Sequence, residues 1–256
     1  ETLLTNKELG FTKSHHLVLG YDLFLKWGMH FKAEIYGQMI SGAPVERTPS
    51  SYSILNFGAS FFNPLPDSLE NTGTGLNYGI EITFEKRMEK GLYFMFNGAL
   101  FQSKYRGSDG ITRNTGFNGN YTTNLLAGYE HRFKQKSSVN KKGKLRPKVA
   151  LSADVKFVLN GGGRYTEIDF EASEMAGEEI WTNEVNQKQY PSYFKMNLRF
   201  GVKLIMKRTT SELAFDIQNI TNQKNIFYRE YNAESNSLQT TYQTGFLPLV
   251  LYRITF

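Results

Sequence analysis

Four histidines, His15, His16, His30 and His131, are the side chains best suited to hold a metal or move protons near neutral pH. Their spacing supports neither. His15 and His16 are adjacent, so on an extended strand they point to opposite faces, and His131 falls on apolar parity near a strand end. His16 has no serine or acid beside it in sequence to complete a nucleophile–base pair, so no enzyme activity is expected. The chain has no cysteine, which excludes disulfides and thiolate metal sites. Gly161-Gly-Gly-Arg164 lacks the Gly-Lys-Ser/Thr of a phosphate loop and opens no helix, so it reads as a flexible strand-to-loop exit. Asn120-Tyr-Thr and Asn219-Ile-Thr match a glycosylation pattern only as strand-end coincidences. No metal and no cofactor are expected.

Binding chemistry is better represented. Residues 161–192 carry Glu167, Asp169, Glu171, Glu174, Glu178, Glu179 and Glu184 against Arg164 and Lys188; seven acids and two bases leave a net of −5. The default reading is a solvated loop, with contact to divalent ions or a cationic ligand as the sharper one. Residues 134–147 hold Lys134, Lys136, Lys141, Lys142, Lys144 and Arg146 with no acid. No stacking aromatics are interleaved there, so nucleic acid is not an expected partner. Tyr52, Phe57, Phe61, Phe62, Tyr165, Trp181, Tyr190, Phe227, Tyr228 and Tyr231 lie between the regular segments. Aromatic faces suit both sugars and aromatic iron chelators, which makes these residues candidate ligand contacts.

The elements that must position these residues alternate with period two. Phe194, Met196, Leu198, Phe200, Val202 and Leu204 share one face, while Lys195, Asn197, Arg199, Gly201 and Lys203 share the other. Val149 to Leu159 and Tyr78 to Glu85 alternate in the same way. The pattern predicts nine strands, near 15–27, 29–40, 76–88, 91–105, 120–133, 148–160, 193–206, 211–221 and 241–256. Soluble strands average ~5–6 residues, whereas a tilted membrane-crossing strand needs ~9–11. The connections alternate too. Short joints fall around Trp27-Gly28, Glu89-Lys90 and Lys207–Ser211, with a basic joint at 134–147; long joints fall at 41–75, 106–119, 161–192 and 222–240. The 20 Phe, 15 Tyr and 23 Gly suit pleated strands and tight turns. Mean hydropathy of −0.43 does not oppose a membrane wall, because only every second residue would face lipid.

On that reading Asp22, Lys32, Glu34, Glu81, Glu85, Glu130, Arg132, Asp154, Lys156, Lys195, Arg199, Lys203 and Asp216 face a lumen. Tyr21, Tyr78, Phe84, Tyr121, Tyr129, Phe133, Phe194 and Tyr252 take lipid parity, several near strand ends where aromatic girdles belong. Val250, Tyr252, Ile254 and Phe256 share one face of the last strand and resemble the C-terminal insertion signal read by barrel-assembly machinery. Nine strands put the two ends of the wall on opposite sides, whereas single-chain bacterial barrels have even strand numbers. The expectation is therefore an all-β antiparallel meander forming part of a transmembrane barrel, with upstream strands elsewhere.

Several stretches resemble the C-terminal barrel of TonB-dependent receptors, especially those with a carboxypeptidase-like regulatory domain. They are Asn71–Glu81, Ser103–Gly110, Arg113–Tyr121, Gly162–Asp169, Asp216–Asn222 and Gly245–Phe256, which occur in order along nearly the whole chain. The resemblance implies that residues 1–256 are the C-terminal part of a ~22-strand plugged barrel in a Gram-negative outer membrane. It also implies active import of a bulky nutrient (siderophore, cobalamin, oligosaccharide or peptide). Its implied partners are TonB, contacted through an upstream plug-bearing region, the barrel-assembly machinery, lipopolysaccharide and outer-membrane lipids, and the transported solute. The alternative is a passive porin or adhesion barrel.

Overall fold

The computed structural model describes residues 6–57, 66, 68–133 and 148–256. Phe61, Phe62 and the basic 134–147 joint lie outside the described residues. Alternating β-branched and aromatic residues fold as strands at all nine expected places: β1 (Lys13–Phe24), β2 (Met29–Glu46), β3 (Leu69–Glu89), β4 (Leu92–Arg106), β6 (Tyr121–Arg132), β7 (Lys148–Asn160), β10 (Tyr193–Ile205), β11 (Thr210–Gln218) and β14 (Leu247–Thr255). They pair antiparallel in sequential order, and β5 (Thr112–Asn114) adds to the end of β4. Further short elements occupy the long loops: a 3₁₀ turn (Ile54–Asn56), β8 (Arg164–Tyr165), α1 (Phe170–Ala176), β9 (Lys188–Gln189), β12 (Ile226–Asn232) and β13 (Ser237–Tyr242). Among the described residues no helix is long and apolar enough to cross a membrane, which says nothing of crossing by strands.

The tight turns follow from backbone sterics. Trp27 and Gly28 have φ of 59° and 66°, and Lys90 and Gly91 have 53° and 90°. Two successive positive φ values make the type I′ hairpin turn, whose twist matches that of the strands it joins. The second turn therefore sits one residue later than expected. Since consecutive connections of a meander fall at opposite ends, every long loop lies at one end of the sheet.

The expected faces are realised by the register. Tyr21 lies opposite Ala33, then Ile82, and Leu19 runs through Ile35, Ile80 and Leu100 to Tyr121. At the other side Tyr129, Ala153, Phe200, Phe215 and Val250 form one row. All thirteen charges expected to share a face do so, with Asp22 opposite Lys32, Glu34 opposite Glu81, and Arg199 between Asp154 and Asp216. That face is crosslinked: Glu130 accepts from Lys203 at 2.6 Å and Arg132 at 2.7 Å, and Glu212 accepts from Arg199 at 2.8 Å. Tyr93 donates to Asp154 at 2.5 Å.

The two faces differ in crowding, in the opposite sense to a soluble barrel. Glu130 and Glu212 are 5% and 8% exposed, while Phe200, Leu213 and Val250 on the apolar face are 51%, 54% and 72% exposed. A Cβ added at Gly201 on the charged face would lie 2.6 Å from the Ser152 hydroxyl, and one at Gly37 on the apolar face would meet nothing. Crowding on one side and splaying on the other describe a sheet curved toward its charges. A compact monomer of 29.3 kDa exposes ~11,500 Å², whereas this chain exposes 17557 Å². The sheet is a single layer, open at both edges: β1 and β14 each pair on one side only, and no closed barrel forms from the described strands.

Three boundaries differ from expectation. The second hairpin runs on to the Glu46–Leu69 pair, so residues 41–46 and 69–75 are strand rather than loop. Pro44, Gly42 and Gly73 hide the period, yet Gly73 is required there because its missing Cβ would sit 2.5 Å from Val45 Cγ1. Ala43, Val45, Leu69 and Tyr105, all at the long-loop ends of their strands, are buried. β11 stops at Gln218 because Asn219 turns left-handed, with φ of 49°. β14 starts at Leu247 rather than 241, since Thr241 and Tyr242 pair with Tyr228 and Ile226 in a separate hairpin.

Candidate ligand site at the long-loop end

Asparagines fasten the long loops to the wall. Asn118, fully buried, donates to Gln102 Oε1 at 3.1 Å and Asn114 Oδ1 at 2.8 Å and accepts from the Ser103 amide at 3.1 Å. Asn219, also fully buried, donates to the carbonyls of Gln223 and Thr244 and accepts from the Gln223 amide, while its own amide donates to Asn197 Oδ1 at 2.9 Å. Asn225 brackets Phe194, accepting from its amide at 2.9 Å and donating to its carbonyl at 2.7 Å. A buried amide side chain left unpaired costs ~1–3 kcal/mol, so these satisfied clasps set one loop conformation.

The loops also hold one another. Arg164 donates to the Asn118 and Gln187 carbonyls at 3.1 and 3.2 Å and to Asn120 Oδ1 at 2.8 Å. The Gly116 amide donates to Asn56 Oδ1 at 3.2 Å, and Tyr105 donates to the Ser51 carbonyl at 3.0 Å. The Tyr231 amide donates to Glu179 at 2.8 Å, joining the β12–β13 hairpin to the segment after α1. The glycines before Arg164 are packed rather than a flexible exit: a Cβ on Gly161 or Gly162 would strike the Gly119 or Tyr190 carbonyl oxygen. Their role is close backbone approach.

The acidic loop has internal structure as well. Asp169 caps α1, accepting from the Ala172 amide at 3.0 Å, and Gly177 ends the helix at φ of 71°. Glu167 pairs with Lys188 at 3.2 Å, and Glu174 accepts from Asn236. Among the described residues no group of three or more acidic or histidine side chains could hold a metal ion.

Between β8–β9 and the β12–β13 hairpin lies a cavity of about 390 Å³ lined by Tyr165, Glu167, Ile168, Trp181, Thr182, Tyr190, Arg229 and Leu238. Tyr165 and Tyr190 stack with centroids 4.1 Å apart and planes 11° apart. Arg229 sits over the Tyr190 ring at 5.9 Å, and its amide donates to the Tyr190 hydroxyl at 3.2 Å. Burial pushes the Tyr190 hydroxyl up from its ordinary value. Trp181 is 58% exposed at the cavity wall, anchored by a bridge to Ile168.

Three of the ten expected ligand aromatics therefore converge, Tyr165, Trp181 and Tyr190, while Tyr231 packs edge-on against Phe170 at 6.1 Å. Tyr52 and Phe57 instead pair edge-on at 5.4 Å in the loop after β2, and Phe227 and Tyr228 form an exposed edge-on pair at 5.3 Å outside the cavity lining. Sequence reasoning missed Arg229, Thr182 and Leu238. The Tyr228-Arg-Glu-Tyr231 alternation is a strand signal that could have placed Arg229 on a hairpin. Val250, Tyr252, Ile254 and Phe256 lie on the apolar side of the open β14 edge, all exposed.

In the 106–119 loop, Arg113 grips Asp109 with two bonds of 3.0 and 2.6 Å. The guanidinium holds the Asp109 carboxyl below its ordinary 3.8. A lowered folded pKa gives stability that is complete above the unfolded value and is lost as pH falls through the folded one. We expect Asp109→Asn to cost this loop about 1–3 kcal/mol at pH 7, read as faster proteolysis at 107–118. The difference from the parent should vanish only below the ordinary carboxylate range; loss by pH 5 would refute the clasp. The chain matches no protein-family model, no curated protein and no solved structure.

Proposed function

We propose that this chain forms nine wall strands and the outer loops of a TonB-dependent outer-membrane importer. The observation that carries the reading is the single-layer meander with its charges crowded on one face and its apolar side chains splayed on the other. In water such an apolar face is an aggregation liability. In a bilayer it is the outer wall of a barrel, and the charged face lines an interior too polar to be a dry core. The long loops then form the outer rim, clasped into a rigid surface that receives the solute. The β1 and β14 edges join strands outside residues 1–256, and Val250, Tyr252, Ile254 and Phe256 serve as the insertion signal.

The test is cellular. The protein should fractionate with the outer membrane, and an epitope tag inserted near Glu178 should be accessible on whole cells. Solute uptake through it should stop when TonB is deleted. Uptake that persists without TonB would favour the passive porin or adhesion reading; a tag reached only after lysis would overturn the topology.

A further inference from the structure

The cavity beside Trp181 is more selective than an aromatic pocket alone. Its lining holds one acid and one base, Glu167 and Arg229, and Glu167 is already paired with Lys188 at 3.2 Å, so the cavity has no negative charge of its own. Among the described residues the Arg229 guanidinium makes no hydrogen bond, although it is held in place by the Tyr190 ring. The surroundings are acidic: residues 161–192 and 222–246 together hold nine acids and four bases, a net of −5. Loops of that charge disfavour polyanionic solutes such as phosphorylated compounds and ferric catecholates, an effect that salt screens beyond ~8 Å. Arg229 at the wall, with Glu167 already neutralised by Lys188, in turn opposes a cation inside.

What remains is a neutral ligand with many hydroxyls. A guanidinium fork and a carboxylate each match a pair of neighbouring ring hydroxyls. The exposed indole of Trp181 offers a flat apolar surface to the C–H face of a sugar ring. Thr182 lines the same cavity, and its hydroxyl, buried behind that wall, lacks a partner, an uncommon state that a ligand hydroxyl would relieve after a rotation of the side chain. The volume, about 390 Å³, is near the low end of the ~300–1,000 Å³ seen for small-ligand sites. Because the loops are already clasped together, little ordering entropy opposes binding.

We propose that this pocket binds the end of a neutral oligosaccharide, with Trp181 stacking on a ring and Glu167 and Arg229 engaging its hydroxyls. The assignment of that sugar as transported cargo rests on the importer reading; the binding itself does not.

The intact outer-membrane protein in detergent would be screened on an array carrying neutral oligosaccharides (malto-, cello-, xylo- and manno-series), uronic-acid and sulfated glycans, and short basic and apolar peptides. The expected result is binding to at least one neutral series. Trp181→Ala should weaken it about tenfold or more, equivalent to ~1.4 kcal/mol, Trp181→Tyr should partly restore it, and Arg229→Ala should weaken it as well. Binding only to acidic glycans or only to peptides, no binding at all, or neutral-glycan affinity unchanged in Trp181→Ala would each overturn the assignment. Heat-modifiable migration of the same preparations reports on the barrel separately. A heat-modifiable barrel that binds no neutral glycan sinks the pocket alone, and a glycan binder that is no barrel sinks the importer alone.

Discussion

Leu198→Arg is expected to destabilise the sheet in a bilayer by about 2–4 kcal/mol, the cost of a guanidinium at the lipid midplane. Leu198 is central in β10, between Val155 and Ile217 on the apolar face. The matched substitution on the other face is Asn124→Arg, where Asn124 lies between Asn97 and Val158. It should cost far less, since a charge on the side that turns away from lipid keeps access to water and to Asn97. Asn197, beside Leu198 and at first sight the simpler control, is unsuitable: its side-chain oxygen accepts from the Asn219 amide, so an arginine there would undo the clasp at the top of β11. Urea titrations of the barrel folded into vesicles would compare the two variants. Equal losses would mean that the apolar face does not meet lipid.

The second large effect concerns closure. Residues 1–256 refolded alone in detergent are expected to give no heat-modifiable, protease-resistant monomer, whereas the same residues within a complete barrel should. Among the described residues β1 and β14 each carry one row of N–H and C=O groups with no partner strand, along 12 and 9 residues. In hydrocarbon each unsatisfied group costs several kcal/mol because no water replaces the partner. In water those rows, next to exposed Leu17, Leu19, Val250 and Tyr252, are templates for aggregation. Gel migration with and without boiling, followed by limited proteolysis, would decide it. A compact monomer resistant to protease would show that the two edges find each other, and the open-wall reading would fall.

The strands of the sheet were laid out by the period-two pattern alone. All nine strands, their order and the assignment of thirteen charges to one face were legible because a strand's side chains alternate with period two and a one-residue slip would flip every one of them. Loop lengths were legible for the same reason, being the gaps between alternating runs, although Pro44 and Gly73 interrupted the period and concealed the longer second hairpin. How the long loops meet emerged only in three dimensions. Asn118 and Asn225 look like ordinary loop residues in the sequence and Asn219 like the end of a strand, yet each makes tying hydrogen bonds, some to residues more than twenty positions away. Arg229 meets Tyr190 and shares a cavity with Trp181 only because the β12–β13 hairpin folds back onto the preceding long loop. Periodicity encodes which way a side chain points along one strand; which loops meet is set by long-range contacts between aperiodic segments, and those carry no local signal.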